Sequence, residues 1–258
     1  MGRPQGDEAG QTLGTFAIAG GWGEGPRCFR LLVPEFLAAG YRTLCLKSAR
    51  FGGGRRDRLR GKYPRAQLRL ARGVNQQLDK THEGRVIGVA HSMSGVYMTL
   101  AAMLRPDQFE AIVLLAPSGL LEHDSFWAMA TRLHKKVAHS IIMAWHYPNL
   151  RRATWVSIRE GFLYGLVNPV RAAQEARSLT ACFTRPWIAE LRSRGVRVYL
   201  LRASDDVIYP PTMESWLMDE LDGSDILNGQ HDLWFYHELL AKEILSLIES
   251  AAKAPGGV

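Results

Sequence analysis

The residue types that can do chemistry in this chain converge on one serine. Ser92 stands in Arg85-Val86-Ile87-Gly88-Val89-Ala90-His91-Ser92-Met93-Ser94-Gly95-Val96-Tyr97-Met98. A serine hydroxyl is a poor nucleophile near neutral pH, and becomes a useful one when a base takes its proton and a carboxylate fixes that base. It must also be exposed, and the flanking residues arrange this. Val86 to Val89 is a β-branched run too short for a helix, which predicts a buried strand. Gly95 to Leu104 has no internal Gly or Pro and stops before Pro106, which predicts a helix. Ser92 therefore falls on a sharp strand-to-helix turn, with a helix N-terminus beneath its hydroxyl. Strand and helix nearly touch at such a turn, so the residues two before and two after must be small; Ala90 and Ser94 are.

The elements that would position this turn alternate between strand and helix. A strand at Thr12 to Ala19 runs into the loop Gly20-Gly21-Trp22-Gly23-Glu24-Gly25, whose glycines let backbone N–H groups approach a ligand. A helix over Phe29 to Ala39 and a strand over Tyr41 to Leu46 follow, the β-loop-α-β unit of a parallel sheet. Residues 64–80 read as a helix and Ala111 to Leu115 as a strand. Between Leu121 and Arg194 nothing reads as a strand. Helical stretches run instead from Ser125 to Trp145, Arg151 to Gly165, Pro169 to Cys182 and Pro186 to Arg194, the first with amphipathic spacing at Phe126, Met129, Ala130, Leu133, Val137, Ile141 and Met143. Strands return at Val196 to Leu201 and Asp225 to Leu227, and a helix over Phe235 to Ala252 closes the chain.

Taken together, these features resemble the α/β-hydrolase family. The family's elbow is small-x-Ser-x-small, usually with Gly at both small positions, which Ala90 and Ser94 replace here. The resemblance implies a catalytic serine at Ser92, then an acid after a late strand, then a histidine after the last strand. Asp205 and Asp206 both follow Leu201; the family pattern Gly-x-x-Asp-x-x-x-Pro maps onto Ala203 to Pro210 and selects Asp206. His231 follows Gly229 as in the family's Gly-x-His. The oxyanion donors implied are the backbone N–H of Met93 and that of Trp22, whose loop carries Gly20 where the family often has His. Ser48-Ala49-Arg50-Phe51-Gly52-Gly53 keeps part of a further family segment, with Ser48 in place of an Asp.

The resemblance also sets the architecture: a mostly parallel sheet of about six strands flanked by helices, with a helical cap inserted between strands. Residues 12–120 and 195–254 are expected to form the core, 121–194 the cap, and 1–11 a disordered N-terminal segment. The family's N-terminal hairpin finds no counterpart, which leaves Tyr41 to Leu46 as an edge strand and makes homodimerisation through it a candidate arrangement. The cap aromatics Trp127, Trp145, Tyr147, Trp155, Phe162, Tyr164 and Trp187 are candidates to line a hydrophobic pocket. Trp22, His91, Trp127 and Trp145 are taken as substrate contacts, with His91 packing behind the elbow and not acting as the base.

Composition narrows the alternatives. With 258 residues and 47% hydrophobic content, the chain suits one globular domain with an insertion, and no apolar run is long enough to cross a bilayer. The three cysteines are far apart and make neither a C-x-x-C nor a zinc pattern. The N-terminus lacks the apolar stretch of a secretory signal, so a cytoplasmic protein is expected. The net charge of +7 gathers partly at Arg55, Arg56, Arg58, Arg60, Lys62, Arg65, Arg69 and Arg72, but no nucleic-acid-binding motif accompanies it. No metal cluster or nucleotide fingerprint is present: Lys47 and Ser48 stand where a dinucleotide site wants an acid. The reading is a cofactor-independent hydrolase of hydrophobic carboxylic esters. Thioesterases, C–C bond hydrolases, acyltransferases and non-catalytic ligand-binding members share the same residues.

Overall fold

The computed structural model describes residues 12–47, 63–82, 84–121, 124–146, 148–210, 220–232 and 237–253. The motif Ser48 to Gly53, the arginines from Arg55 to Arg60, Lys62, Tyr147 and residues 1–11 lie outside them.

Six strands form one sheet: β1 (Thr15–Ala19), β2 (Arg42–Cys45), β3 (Val86–His91), β4 (Phe109–Leu115), β5 (Arg197–Ala203) and β6 (Gly223–Leu227), in the order β2-β1-β3-β4-β5-β6. Every neighbouring pair is parallel. The inner strands β1, β3 and β4 read as continuous apolar runs because helices cover both their faces. On one face Phe16, Ile18, Ile87, Val89, Val113 and Leu115 pack under α1 (Leu32–Ala38) and α8 (His237–Lys253). The alternate residues Ala17, Val86, Ala90, Ile112 and Leu114 pack under α2 (Arg65–Thr81), α3 (Met93–Leu104) and α7 (Arg185–Ser193). Two-residue periodicity thus divides each strand between two cores.

The register aligns the carboxyl ends of the strands. Ala19 lies opposite Ala90, His91 opposite Leu115, Leu115 opposite Leu201, and Ala203 opposite Leu227. The loops that follow these residues share one edge of the sheet. The strand order turns back at β1, between β2 and β3, and the crevice beyond such a point is where α/β sheets bind ligands.

The helix expected over Phe29 to Ala39 divides into a 3₁₀ turn at Pro26–Phe29 and α1 at Leu32–Ala38. Pro34 explains the late start: it has no N–H and its ring would strike the carbonyl four residues back, so it is tolerated only in a helix's first turn.

Where the cap is expected, the chain forms α4 (Phe126–His146), α5 (Pro148–Val167) and α6 (Pro169–Leu179). The expected boundary at residue 194 is corrected. α7 packs against α3 and β5, and its Ile188 and Leu191 are completely buried in the core of that face. The cap is anchored through α6, which packs on α2; there Arg69 reaches Glu175 at 3.9 Å, and the Gln67 amide donates to Ser178 at 2.8 Å.

Candidate active site

Ser92 occupies the turn between β3 and α3 with φ 51° and ψ −118°, a region costly for a residue with a Cβ, on the order of 1–3 kcal/mol. Its backbone is held from three directions. The Ser92 N–H donates to the Leu115 carbonyl at 2.9 Å, and its own carbonyl accepts from Gly95 and Ser118, both at 3.0 Å. The small residues do what the turn requires. Ser94 Oγ lies 2.8 Å from the carbonyls of both Ala19 and His91, so its proton ties β1 to the elbow. Gly95 faces Pro117 so closely that a Cβ there would fall 2.7 Å from the Pro117 Cβ. Beside it, at the end of β4, Ala116 also has a positive φ, of 41°.

Asp206 and His231 meet on the loops after β5 and β6. His231 Nδ1 lies 2.7 Å from Asp206 Oδ2, and Asp206 Oδ1 accepts the backbone N–H groups of Ile208 at 2.7 Å and Tyr209 at 2.9 Å. Both residues are buried. Burial opposes the charged form of each, and is outweighed. The His231 imidazole and the two backbone donors hold the Asp206 carboxyl below the usual range, and Asp206 holds His231 above the usual imidazole value. With Nδ1 engaged, Nε2 is the ring nitrogen available to the cavity that His231 lines. Asp205 is exposed, and its backbone N–H donates to the Gly229 carbonyl. The structure therefore brings Asp206, and not its neighbour, to the histidine.

His91 is completely buried behind the elbow and does not line the cavity, so its expected substrate contact is corrected. Its Nε2 lies 3.0 Å from the His231 carbonyl and its Nδ1 3.1 Å from Glu24 Oε2. A carbonyl only accepts, so Nε2 carries the proton. Nδ1 is then an acceptor in the neutral ring, and Glu24 must donate to it. Burial favours this arrangement: it holds His91 well below the usual imidazole value and pushes the Glu24 carboxyl up to about 7. Glu24 Oε2 in turn accepts the Gly21 N–H at 2.6 Å. A proton-ordered chain runs from Gly21 through Glu24 and His91 to the backbone of His231.

The Gly20-to-Gly25 loop sits directly against the elbow. A Cβ on Gly21 would lie 3.0 Å from His91 Nδ1 and 3.1 Å from the Ser92 Cβ. Trp22 lines the cavity and meets Tyr164 of α5 edge-on at 5.9 Å, and its buried Nε1 has no hydrogen-bond partner among the described residues. Met93 heads α3, so its N–H is one of the helix's first-turn donors without an intrahelical partner.

Ser92, Met93 and His231 open onto a cavity of about 380 Å³ lined also by residues of α4 and α6. Its walls are apolar: Phe126, Met129 and Leu133 from α4, Ala172, Ala176 and Leu179 from α6, and Ile208. Trp127 and Trp145 do not line it; each is 78% exposed, and their expected place in the pocket is corrected. The inward stripe of α4 is Met129, Leu133, Lys136, Ser140 and Ala144, and positions 127 and 145 fall off it. Trp155 and Phe162 also face outward, while Trp187 meets Tyr63 edge-on at 5.4 Å.

Two site residues have no counterpart in the motifs. Glu24 is the only ionisable residue of the glycine-rich loop. Lys136 interrupts the apolar stripe of α4, and its Nζ reaches Asp232 Oδ2 at 2.7 Å. A lone charge on an otherwise apolar helix face is the signal that marks it. Burial opposes the ammonium form of Lys136, but Asp232 and Glu24 more than offset it. Among the described residues no group of three or more His, Cys, Asp or Glu is placed to hold a metal ion, and no helix is long and apolar enough to cross a membrane.

A serine with positive φ at the end of a central parallel strand, a buried His–Asp pair on the last loops and the helices α4 to α6 beside them outline a class of fold. The chain belongs to the alpha/beta hydrolase family, which it matches over residues 17–243. Among solved structures it is similar to a bromoperoxidase from Bacillus anthracis, at 13% identity over 92% of each chain with a TM-score of 0.68. It is similar to an enol-lactonase from Burkholderia xenovorans, at 15% identity over 95% of this chain and 94% of that one with a TM-score of 0.67. An esterase from Exiguobacterium antarcticum matches at 12% identity, 92% of each chain and a TM-score of 0.68. At such identities the likeness is one of fold. No curated protein matches the chain by sequence at a significant level.

Proposed function

We propose that this protein is a serine hydrolase of apolar carboxylic esters. In this reading Ser92 Oγ attacks the ester carbonyl carbon while His231 Nε2 takes its proton. Asp206 fixes the imidazole and stabilises its charged form. The tetrahedral oxyanion is met by the N–H groups of Met93 and Trp22, donors whose removal typically costs about a hundredfold or more in rate. Collapse expels the alcohol, which takes the proton back from His231. Water, deprotonated by the same histidine, then releases the acid and restores Ser92.

The observation that carries the proposal is the pair His231–Asp206 at 2.7 Å, doubly anchored by backbone N–H groups and facing the cavity onto which Ser92 opens. The cavity falls within the size range of small-molecule sites, about 300–1,000 Å³. Its apolar walls favour an aliphatic or aromatic acyl group, and no cofactor is needed for the chemistry.

The test is hydrolysis of a p-nitrophenyl ester series from acetate to long chains beside matched thioesters, with Ser92→Ala in parallel. The expected result is ester turnover with a short- to medium-chain optimum, reduced roughly a thousandfold or more in the variant. Turnover that survives in a folded Ser92→Ala protein overturns the assignment. Thioester turnover far above ester turnover moves the substrate class while leaving Ser92 in place.

A further inference from the structure

The outer faces of α4 and α5 are unlike an ordinary cap surface. On α5 the outward stripe is Arg152, Trp155, Arg159, Phe162 and Leu166, at alternating spacings of three and four. Trp155 is 52% exposed, Phe162 68% and Leu166 64%. On α4, Trp127 and Trp145 stand at the two ends of the helix with Ile142 between them. Such side chains cost free energy in water, and none of them is needed to close the cavity below.

The charge on this face has one sign. α4 and α5 carry Arg132, Lys135, Lys136, Arg151, Arg152 and Arg159 against a single acid, Glu160. Glu160 turns inward and accepts the Gly25 N–H at 3.3 Å. Lys136 and Arg132 also turn away, to Asp232 and Asp124. Lys135, Arg151, Arg152 and Arg159 remain exposed beside the aromatics. Arg151, Arg152 and Arg159 line a shallow groove with Trp155.

From this we infer that the outer α4–α5 face of the cap docks on an anionic lipid surface. Tryptophan and phenylalanine flanked by arginine, on a helix face without acids, is the composition of an interfacial helix. The rings enter the headgroup region and the guanidinium groups meet lipid phosphates. A second copy of this chain is a poor occupant, because it would bring the same cations against themselves. The patch also reaches the cavity. Phe126 lines the cavity, is itself 40% exposed, and meets the outward Trp127 edge-on at 5.4 Å. Docking through this face would place the cavity rim at the lipid surface. The inference goes beyond the hydrolase reading and stands without it.

The experiment is flotation of the full chain with vesicles of phosphatidylcholine alone and of phosphatidylcholine mixed with phosphatidylglycerol, at low and high salt. The expected result is binding to the mixed vesicles only, lost at high salt. Arg152→Gln combined with Arg159→Gln should lower the partition coefficient about twenty-fivefold, at about fivefold per cation. Trp155→Ser should weaken binding as well. The control pair Arg42→Gln and Arg65→Gln, exposed on the core, should leave it unchanged. All these positions are on the surface, and an unchanged melting temperature shows that the variants fold. No flotation with the mixed vesicles at low salt overturns the inference. So does an equal loss in the control pair, which would assign binding to net charge. So does a dimer in solution that the Trp155→Ser variant dissolves.

Discussion

The Lys136 ammonium on cap helix α4 lies 2.7 Å from the carboxylate of Asp232, the residue that follows His231 in the chain. Asp232 is buried and the Lys136 side chain is 13% exposed, so the carboxylate depends on the ammonium that reaches it. Removing one partner leaves a charge stranded in a dry site, which costs about 3–5 kcal/mol, whereas replacing both with apolar residues is often neutral. Lys136→Met should therefore lower the melting temperature substantially, and Lys136→Met with Asp232→Leu should recover most of the loss. Thermal denaturation of the three proteins checks this. A double variant as unstable as the single one would show that the pair is not the cap's tie to the loop of His231.

The His231–Asp206 pair sets the pH limb of the proposed activity. His231 must be neutral to accept the Ser92 proton, and Asp206 holds it above the usual imidazole value. The acid limb of kcat/KM is therefore expected above about pH 6.5. Asp206→Asn should move that limb downward and cut kcat by roughly ten-thousandfold. The stability signs differ between the partners. The raised His231 contributes stability below its unfolded value that is lost as pH rises through its folded value. The depressed Asp206 contributes stability above its unfolded value that is lost as pH falls. A pH–rate profile of the wild type beside Asp206→Asn tests the assignment.

Glu24 predicts a second pH effect of distinct origin. Its folded value of about 7 lies above the ordinary 4.5 because burial disfavours the carboxylate. Between those values the unfolded chain has released the proton and the folded chain keeps it, so stability declines as pH rises through that window and levels off above it. The difference amounts to about 3 kcal/mol. Glu24→Gln removes the titrating proton, but the Gly21 N–H and His91 Nδ1 both meet the single atom Oε2, so an amide there keeps only one of the two contacts. It should flatten the slope between pH 4.5 and about 7 while lowering stability at acid pH through the lost contact. Urea denaturation across this range would expose the idea as wrong if both proteins show the same slope.

Close approach at the elbow gives a steric prediction. A methyl at Gly95 would meet the Pro117 Cβ at 2.7 Å, a contact no side-chain rotation relieves. Gly95→Ala should destabilise the fold by about 1–3 kcal/mol. Gly21→Ala presses instead on the Ser92 Cβ, His91 and Glu24. It should lower kcat more than it lowers the melting temperature, because it displaces the loop that presents the Trp22 N–H. Kinetics and denaturation of the two variants separate these effects.

Legibility in the sequence followed the range of the interaction. The elbow was readable because Val86 to Leu104 encodes strand, turn and helix locally, and the inner strands because burial on both faces leaves continuous apolar runs. Asp205 and Asp206 could not be separated by residue type; only the resemblance, through the family pattern mapped onto Ala203 to Pro210, pointed to Asp206. Glu24 was not readable as a site residue, and Lys136 only as a lone charge on the inward face of α4: their partners, His91 and Asp232, are distant in sequence and are brought near only by the fold. Aromatic content alone does not place Trp127 and Trp145 in a pocket. The phase of α4 decides the matter, since the stripe Met129, Leu133, Lys136, Ser140 and Ala144 turns both tryptophans outward.

The cavity walls make acyl-chain length a direct test of the proposed site. α6 presents small side chains, Ala172 and Ala176, opposite Met129 and Leu133 of α4. Ala172 is buried and Ala176 partly so. Replacing Ala176 with Leu fills part of a space of about 380 Å³ that an acyl chain would otherwise occupy. The chain-length optimum should then shift to shorter esters, with kcat/KM for the longest good substrate falling about ten- to a hundredfold, the worth of one or two misplaced methylenes in an apolar pocket. Acetate esters, which do not reach the wall, should be hydrolysed as by the wild type. An unchanged chain-length profile in a folded Ala176→Leu protein would place the acyl group elsewhere, outside the α4–α6 cavity.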